Sequence, residues 1–298
     1  IITVFDNTPP TISCIPDVTV SCAAEVPAPN FAAITISDNC IGAVALTVDD
    51  DVISNQTCAN RYLITRIYTV SDECGNTASC AQTITVFDGT PPTLACLPDI
   101  TVSCTSEIPV PNAAAIAAND NCSGTVTVTF VTDVISNQTC ANRYTITRTY
   151  RATDVCGNSA TCAQIITVFD ATVPTLTCLP DITVSCASDV PLPNPTAITA
   201  GDNCNGSVTV TFVNEAISNQ TCANRYTITR TYRAMDVCGN SATCAQIITV
   251  FDATVPTLTC LPDVTVSCAS DVPLPNANGC ALHPKVHLLF CPGRCPQN

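Results

Sequence analysis

Histidine and lysine are almost missing from this chain of 298 residues. It has two histidines, His283 and His287, and one lysine, Lys285, all near the C-terminus. The residues before them offer no imidazole for acid–base chemistry and no amine for covalent catalysis, and their serines and threonines have no accompanying base. We therefore expect a protein that is not an enzyme. The lack of lysine also excludes Lys–Asn isopeptide bonds as a covalent brace.

Basic side chains, tryptophan and long apolar runs are scarce as well. The chain has 10 Lys and Arg against 24 Asp and Glu, which gives a net charge of -14. Nucleic-acid binding is not expected, because it requires clusters of Lys and Arg. No stretch is apolar over the roughly 20 residues that a membrane-spanning helix needs. Since tryptophan is absent, each domain has a modest core that requires reinforcement.

Cysteine supplies that reinforcement. The chain has 23 cysteines, and the spacing Cys-x7-Cys-x17-Cys-x17-Cys-x15-Cys-x5-Cys occurs three times with a period of 82 residues. Even sets of six in short units predict disulfides formed in an oxidising compartment. We therefore expect an extracellular protein, either secreted or on the cell surface.

A period of this length predicts an array of small domains. The phrase SNQTCANRY recurs at Ser54, Ser136 and Ser218, and both ends of the chain contain incomplete repeats, which predicts a segment of a longer array. The predicted organisation is a closing strand of a preceding repeat at 1–6, complete repeats at 7–88, 89–170 and 171–252, a partial fourth repeat at 253–277, and an unrelated tail at 278–298. The tail contains a Cys and His set that is either a zinc site or part of a divergent terminus.

The secondary-structure pattern has period two. Thr125 to Phe130, Tyr144 to Tyr150 and Ile165 to Phe169 alternate β-branched or aromatic residues with threonine, as strands do. No helical period persists. The predicted fold class is all-β, with tandem immunoglobulin-like β-sandwich domains braced by disulfides.

The disulfide pairing is predicted from strand geometry within one repeat. The strand from Arg61 to Asp72 separates Cys58 from Cys74 by roughly 35 Å at about 3.3 Å per residue, too far for a disulfide. Cys22 and Cys58 are placed at one pole of the domain, and Cys40 and Cys74 at the other. The predicted bonds are Cys14–Cys80, Cys22–Cys58 and Cys40–Cys74, then Cys96–Cys162, Cys104–Cys140 and Cys122–Cys156, then Cys178–Cys244, Cys186–Cys222 and Cys204–Cys238.

The sequence between Tyr144 and Cys178 carries a family resemblance. It contains Tyr-x-Ile-x-Arg-x-Tyr-x-Ala-x-Asp-x-Cys-Gly-Asn-Ser-Ala-Thr-Cys, then Ile165, Thr167 and Val168, and then Val-Pro-Thr before Cys178. This resembles hyalin-repeat (HYR-like) immunoglobulin-like modules, in the cysteine-rich form found in very long surface proteins of Bacteroidota, including gliding and adhesion proteins. The resemblance implies a stalk, fibre or adhesin without catalytic residues. Six cysteines per repeat depart from the four that are usual in the family.

Aspartate recurs at three positions of each repeat. One follows the closing strand, one begins an Asp-Asn-Cys triplet, and one precedes Cys-Gly-Asn, and the sandwich model places all three at the pole that faces the preceding domain. Carboxylates are suitable Ca²⁺ ligands, whereas Asp and Asn also cap turns through hydrogen bonds to the backbone. The candidate calcium ligands are Asp6, Asp38, Asp72, Asp88, Asp120, Asp154, Asp170, Asp202 and Asp236. No other cofactor is expected.

Two further repeated features each allow two interpretations. Arg66, Arg148 and Arg230 share a strand face with Tyr and Ile, and each is either solvated or half-buried with its guanidinium bound to carbonyls or an Asp. Asn55, Asn137 and Asn219 begin Asn-Gln-Thr sequences, which are either glycosylation sites or ordinary polar loops.

These patterns together predict a structural and adhesive repeat array that forms a stalk or extracellular filament of a bacterial surface protein. Its expected partners are neighbouring repeats or other copies of itself in a fibre. The alternative is a module that binds glycans or another surface through the avidity of its repeats.

Overall fold

The computed structural model describes residues 1–257. The tail and all but the first residues of the predicted fourth repeat lie outside the described residues. The described chain is all-β apart from short 3₁₀ turns, which confirms the predicted fold class. No helix in this range is long and apolar enough to cross a membrane.

Three repeats follow one another with the same order of strands. Repeat 1 contains β1 (Thr11–Ser13), β2 (Val18–Val20), β3 (Thr35–Ser37), β4 (Ala45–Val48), β5 (Val52–Cys58), β6 (Arg61–Ser71) and β7 (Thr77–Phe87). Repeat 2 contains β8 (Thr93–Ala95), β9 (Ile100–Val102), β10 (Ala117–Asn119), β11 (Thr127–Cys140), β12 (Arg143–Thr153) and β13 (Ser159–Phe169). Repeat 3 contains β14 (Thr175–Thr177), β15 (Ile182–Val184), β16 (Thr199–Gly201), β17 (Thr209–Cys222), β18 (Arg225–Met235) and β19 (Ser241–Phe251). The 3₁₀ turns are Ala23–Glu25, Phe31–Ala33, Thr105–Glu107, Ala113–Ala115, Ala187–Asp189 and Pro195–Ala197.

Each repeat combines a small sheet with a larger one. In repeat 1, β1 pairs with β3, and the larger sheet has the order β2-β7-β6-β4, with β5 also paired to β6. The first strand of the larger sheet runs parallel to the closing strand, with Val18 opposite Ile84. Repeat 3 repeats this arrangement, except that the single long β17 replaces the β4 and β5 pair.

The chain forms two compact units, each of which contains one complete junction between repeats. The first unit comprises Ile1–Thr101, Ile108–Asn137 and Thr145–Thr167, and it includes the contacts between repeats 1 and 2. The second comprises Val102–Glu107, Gln138–Tyr144 and the described residues from Val168 onward, and it includes the contacts between repeats 2 and 3.

The core of each repeat lies on one face of the larger sheet. Alternate residues of β6 are buried, as the period of two requires. Tyr68 and Val70 are fully buried, and Ile64 packs with Ile84 and Val86 of β7. The equivalent side chains of repeats 2 and 3 are buried in the same way.

A buried arginine lies on the same strand face in every repeat. Arg66 is 3% exposed; its Nε and Nη2 each donate to Asp51 at 2.8 Å, and its Nη1 donates to the Pro27 carbonyl at 2.8 Å. Arg148 binds Asp133 and the Pro109 carbonyl in the same way, and Arg230 binds Glu215 and the Pro191 carbonyl. The half-buried interpretation of these arginines is therefore correct, because the planar fork satisfies several acceptors at once.

The predicted disulfides are partly confirmed. Cys14–Cys80, Cys96–Cys162 and Cys178–Cys244 each link the opening segment of a repeat to its closing strand. The predicted bonds Cys22–Cys58, Cys40–Cys74, Cys104–Cys140, Cys122–Cys156 and Cys204–Cys238 are wrong. The observed bonds are Cys22–Cys122, Cys58–Cys156, Cys104–Cys204 and Cys140–Cys238, whereas Cys40 and Cys74 are free. Cys186 and Cys222 are also disulfide-bonded.

The error lies in the assumption that all six cysteines of a repeat pair within it. The predicted division into two poles agrees with the observed bonds. Cys22 and Cys58, at one pole of repeat 1, bond to Cys122 and Cys156, at the opposite pole of repeat 2. The length of β6 separates Cys58 from Cys74 within a repeat. Because these cysteines lie at opposite ends of the repeat, Cys58 can reach repeat 2, where it bonds to Cys156.

Residues 1–6 form no strand, contrary to the prediction. Their sequence matches the closing strands, but a closing strand pairs with two neighbours in each larger sheet, and residues 1–6 meet no such neighbours in the described structure. The strand bounds of the three complete repeats fall within the predicted ranges 7–88, 89–170 and 171–252.

Candidate functional site: the junction between repeats

The recurring phrase SNQTCANRY occupies the end of repeats 1 and 2 that contacts the following repeat. In repeat 1 it runs from the end of β5 through the turn into β6. Asn55 adopts a left-handed backbone with φ of 53° where the pairing of β5 and β6 is irregular, and Asn137 and Asn219 do the same. Asparagine tolerates this conformation better than most residues. The motif therefore has a structural role that does not depend on glycosylation.

Two disulfides close the junction between repeats 1 and 2. Cys22, at the end of the opening segment, bonds to Cys122 of the Asp-Asn-Cys triplet. Cys58, at the end of β5, bonds to Cys156 of the Asp-Val-Cys-Gly-Asn turn. Both pairs have Cα atoms 5.2 Å apart, within the normal range. Together with the peptide chain, they join the two repeats covalently at three places.

Asn60 and Arg61 of the same motif add hydrogen bonds across this junction. Asn60 is 1% exposed; its Oδ1 accepts a bond from the backbone N–H of Ala23, and its Nδ2 donates to the Ser123 carbonyl at 3.2 Å. Arg61 Nη2 donates to the Asp88 carbonyl at 2.6 Å, and its Nη1 donates to the Cys156 carbonyl at 3.4 Å. The guanidinium also lies 4.9 Å from the centroid of the Phe87 ring, a favourable cation–π distance.

The junction between repeats 2 and 3 is built from the equivalent residues. Cys104–Cys204 and Cys140–Cys238 close it. Arg143 Nη2 donates to the Asp170 carbonyl at 2.8 Å, and Asn240 Nδ2 donates to the same carbonyl at 3.1 Å. The junction is thus a repeated structural unit of the array.

The aspartate before Cys-Gly-Asn caps the turn between the two long strands. Asp154 Oδ1 accepts from the backbone N–H groups of Cys156 and Asn158, and its Oδ2 accepts from Asn158 Nδ2, each at 2.8 Å. Gly157 has φ of 86°, which requires a residue without Cβ. Asp72 and Asp236 bind Asn76 and Asn240 equivalently. The turn-capping interpretation holds for these three aspartates.

The other two aspartates of each set converge beside the junction. One carboxylate oxygen of Asp88, one of Asp120 and the Cys122 sulfur lie within 4.8 Å of one another. Asp170, Asp202 and Cys204 form the same group, and Asp6, Asp38 and Asp72 form a third at the end of repeat 1 that precedes β1. These sulfurs belong to disulfides and are not metal ligands, so the carboxylates alone define the acidic clusters.

Several oxygens of the acidic clusters are buried without a hydrogen-bond partner. They are Asp38 Oδ1, Asp88 Oδ2, Asp120 Oδ1 and Asp170 Oδ2. Asp88 and Asp170 are fully buried residues. The pKa of Asp170 is raised above its ordinary value, chiefly by burial and then by the charges of Asp202 and Asp236.

The end of repeat 1 that precedes β1 resembles a junction without its partner repeat. Asp6 lies where Asp88 lies at the next junction, because Asn76 Nδ2 donates to its carbonyl and Thr8 N donates to its Oδ1. The free thiols Cys40 and Cys74 are both exposed and correspond to Cys122 and Cys156. The hydrogen bond with Asp6 raises the pKa of the Cys40 thiol, and the Thr8 N–H lowers the pKa of Asp6.

Sequence reasoning missed the junction roles of Asn60 and Arg61. The available signal was their position directly after a cysteine in the phrase that recurs once per repeat. A motif that repeats together with its cysteine indicates a shared contact surface, but it does not identify the surface that it meets.

The fold and the junction define a class of protein, namely a tandem array of disulfide-linked β-sandwich domains. The family profile described as "HYR-like domain with 4 cysteines" matches residues 94–168 and 175–250, which together are half of the chain. The chain belongs to this family of HYR-like domains. Each matched segment contains six cysteines, and four of the six bond to neighbouring repeats or are placed to do so. No curated protein matches the sequence.

Cadherin ectodomains are among the solved structures that this chain resembles at low similarity. The protocadherin GammaB4 extracellular domain has 17% identity and a TM-score of 0.33, with 84% of this chain and 51% of that chain covered. Protocadherin Gamma B2 domains 1–5 have 15% identity and a TM-score of 0.30, with 83% and 61% covered. Drosophila N-cadherin EC1–4 has 14% identity and a TM-score of 0.26, with 81% and 75% covered. The chain thus spans between half and about three fifths of the two protocadherin structures.

Proposed function

We propose that this chain is part of an extracellular structural and adhesive array in which every repeat is covalently locked to the next. The observation that carries the proposal is the pair of inter-repeat disulfides at both described junctions. Such bonds persist in oxidising surroundings outside the cell. They restrict bending and separation of neighbours, as a stalk or filament requires. A bacterial surface setting, as in Bacteroidota, is supported by the family resemblance of the repeats.

A non-catalytic role is supported by the same chemistry. Before residue 283 the sequence contains neither histidine nor lysine, and the Asn60 and Arg61 side chains at the first junction bind other parts of the protein. Their hydrogen bonds connect Asn60 to Ser123 and Arg61 to Cys156. Burial of these groups in satisfied pairs stabilises a fixed contact.

The exposed Cys40 and Cys74 extend the proposal to a partner. They occupy the positions of Cys122 and Cys156, which form disulfides with repeat 1 at the first junction. The complementary surface is the opposite pole of another repeat of this type, with cysteines at the positions of Cys22 and Cys58. Each new disulfide would transfer two electrons to an extracellular oxidant, such as molecular oxygen or a protein disulfide, and release two protons.

Peptide mapping without reduction tests the proposal. The first junction is the informative one, because Leu63 distinguishes the Cys58 peptide and Thr153 distinguishes the Cys156 peptide from their equivalents in the near-identical repeats. We expect linked peptides that contain Cys22 with Cys122 and Cys58 with Cys156, and their loss after reduction. In native material, Cys40 and Cys74 should be joined to cysteines of the Cys22 and Cys58 positions. Recovery of Cys22–Cys58 would contradict the proposal, since each repeat would then be closed on itself.

A further inference from the structure

We propose that the acidic cluster at each junction is a calcium site, with Asp88 and Asp120 as the ligands at the first junction and Asp170 and Asp202 at the second. This goes beyond the structural role proposed above. It does not depend on that role, because the disulfides hold the junction with or without a metal.

The two carboxylates of the first junction lie close together, and each has one oxygen without a hydrogen-bond partner. At the first junction, one oxygen of Asp88 and one of Asp120 lie within 4.8 Å. Asp88 Oδ1 accepts from Thr90 N, and Asp120 Oδ2 accepts from Cys122 N. The remaining oxygens, Asp88 Oδ2 and Asp120 Oδ1, are buried and have no partner. Buried carboxylate oxygens are costly without a donor or a cation, so the cluster lacks one component.

The local charge fits a divalent cation. Asp88, Asp120 and the neighbouring turn aspartate Asp154 contribute three negative charges, and the Arg61 guanidinium, bound to the Asp88 carbonyl, contributes one positive charge. One divalent ion would neutralise the remainder. Two hard carboxylate ligands leave several coordination positions for water, which Ca²⁺ accepts in its flexible shell of 6–8 oxygens.

The turn aspartates Asp154 and Asp236 contribute negative charge near the proposed sites. Asp154 and Asp236 already accept hydrogen bonds at both oxygens, so they contribute charge and not coordination. At the end of repeat 1, Asp6, Asp38 and Asp72 form a similar but more exposed group.

Calcium titration of the full oxidised chain tests the proposal. Isothermal titration calorimetry on chelator-treated protein at pH 7.5 should detect sites with dissociation constants of about 0.1–1 mM, the range of extracellular calcium modules. Asp120→Asn should remove one site from the stoichiometry, and the double variant with Asp202→Asn should remove two. Asparagine retains the acceptor for the backbone N–H of residue 122 or 204, so the turn should persist.

Asp50→Asn is the matched control, because Asp50 is exposed and distant in sequence from the junction aspartates; it should leave the binding unchanged. A non-reducing peptide map that still shows Cys22–Cys122 would establish that the Asp120→Asn chain is folded. Absence of binding up to about 10 mM Ca²⁺ would overturn the proposal, and so would unchanged stoichiometry in the double variant. Equal binding of Mg²⁺ would also overturn it, because it would indicate diffuse charge screening.

Discussion

Stretching the oxidised chain should release far less length than stretching the reduced chain. Load enters repeat 1 at Cys14, crosses to Cys80, follows residues 80–96, and crosses again from Cys96 to Cys162. A second route of about the same length runs through Cys22–Cys122 and Cys140–Cys238, and the remaining residues lie off both routes. At about 3.3–3.6 Å per residue, the segment 80–96 extends to about 55 Å, whereas a whole repeat of 82 residues extends to about 280 Å.

Single-molecule force spectroscopy with handles at the two termini would measure this difference. For the oxidised chain we expect no unfolding step longer than about 55 Å from any complete repeat. After reduction, each repeat should add up to about 280 Å less its folded length. Steps above about 200 Å from fully oxidised protein would refute the reasoning, because the observed bonds enclose those residues.

A double variant, Cys96→Ser with Cys162→Ser, distinguishes bonds between repeats from bonds within them. Without Cys96–Cys162, load should still cross both junctions through Cys22–Cys122 and Cys140–Cys238 and follow residues 14–22, 122–140 and 238–244. The path between Cys14 and Cys244 then stays at about 110 Å, as in the unsubstituted chain. If the remaining cysteines paired inside their repeat, the shortest path would pass through Cys104 and Cys140 and lengthen by about 100 Å instead.

Two substitutions test the interior of the repeats. Arg148→Ala should lower the free energy of unfolding by about 2–4 kcal/mol, because it leaves Asp133 and the Pro109 carbonyl without their buried donor. Denaturant unfolding would measure this loss, and the exposed Arg151→Ala is the control, with an expected change near zero. Equal effects of the two variants would contradict the prediction. Asn137→Ala should cost about 1 kcal/mol at its left-handed position, while Asn137→Gly should be nearly neutral. A larger loss for the glycine variant would show that the asparagine side chain, and not its backbone, matters there.

The sequence was sufficient for the repeats, the strands and the burial pattern, because these follow from local periodicity. Arg66 illustrates the limit of such patterns: its place among Tyr and Ile on one strand face allowed either a solvated or a half-buried guanidinium, and the structure shows it bound to Asp51 and the Pro27 carbonyl. The Asp51 partner could not be identified, because it depends on the course of the chain before β5.

The disulfide pairing was predicted correctly only for Cys14–Cys80 and its equivalents Cys96–Cys162 and Cys178–Cys244. The cysteine pattern repeats with an exact period, so Cys74 and Cys156 occupy the same position in successive repeats. A cysteine that pairs with this position can therefore bond to either copy. Spacing therefore defines which positions pair but not which copies. The contact between repeats decides that, and it depends on Asn60, Arg61 and the Asp88 carbonyl meeting their partners in space.

The inter-repeat bonds also change the response of the array to proteolysis. Residues 14–244 form a network of closed covalent loops, since every junction in that range is bridged by two disulfides and every repeat by a third. One backbone cut anywhere within it leaves all fragments attached to each other. A protease must therefore cut at least twice before any part of this segment is shed, so a surface structure built in this way tolerates isolated nicks without losing its outer end.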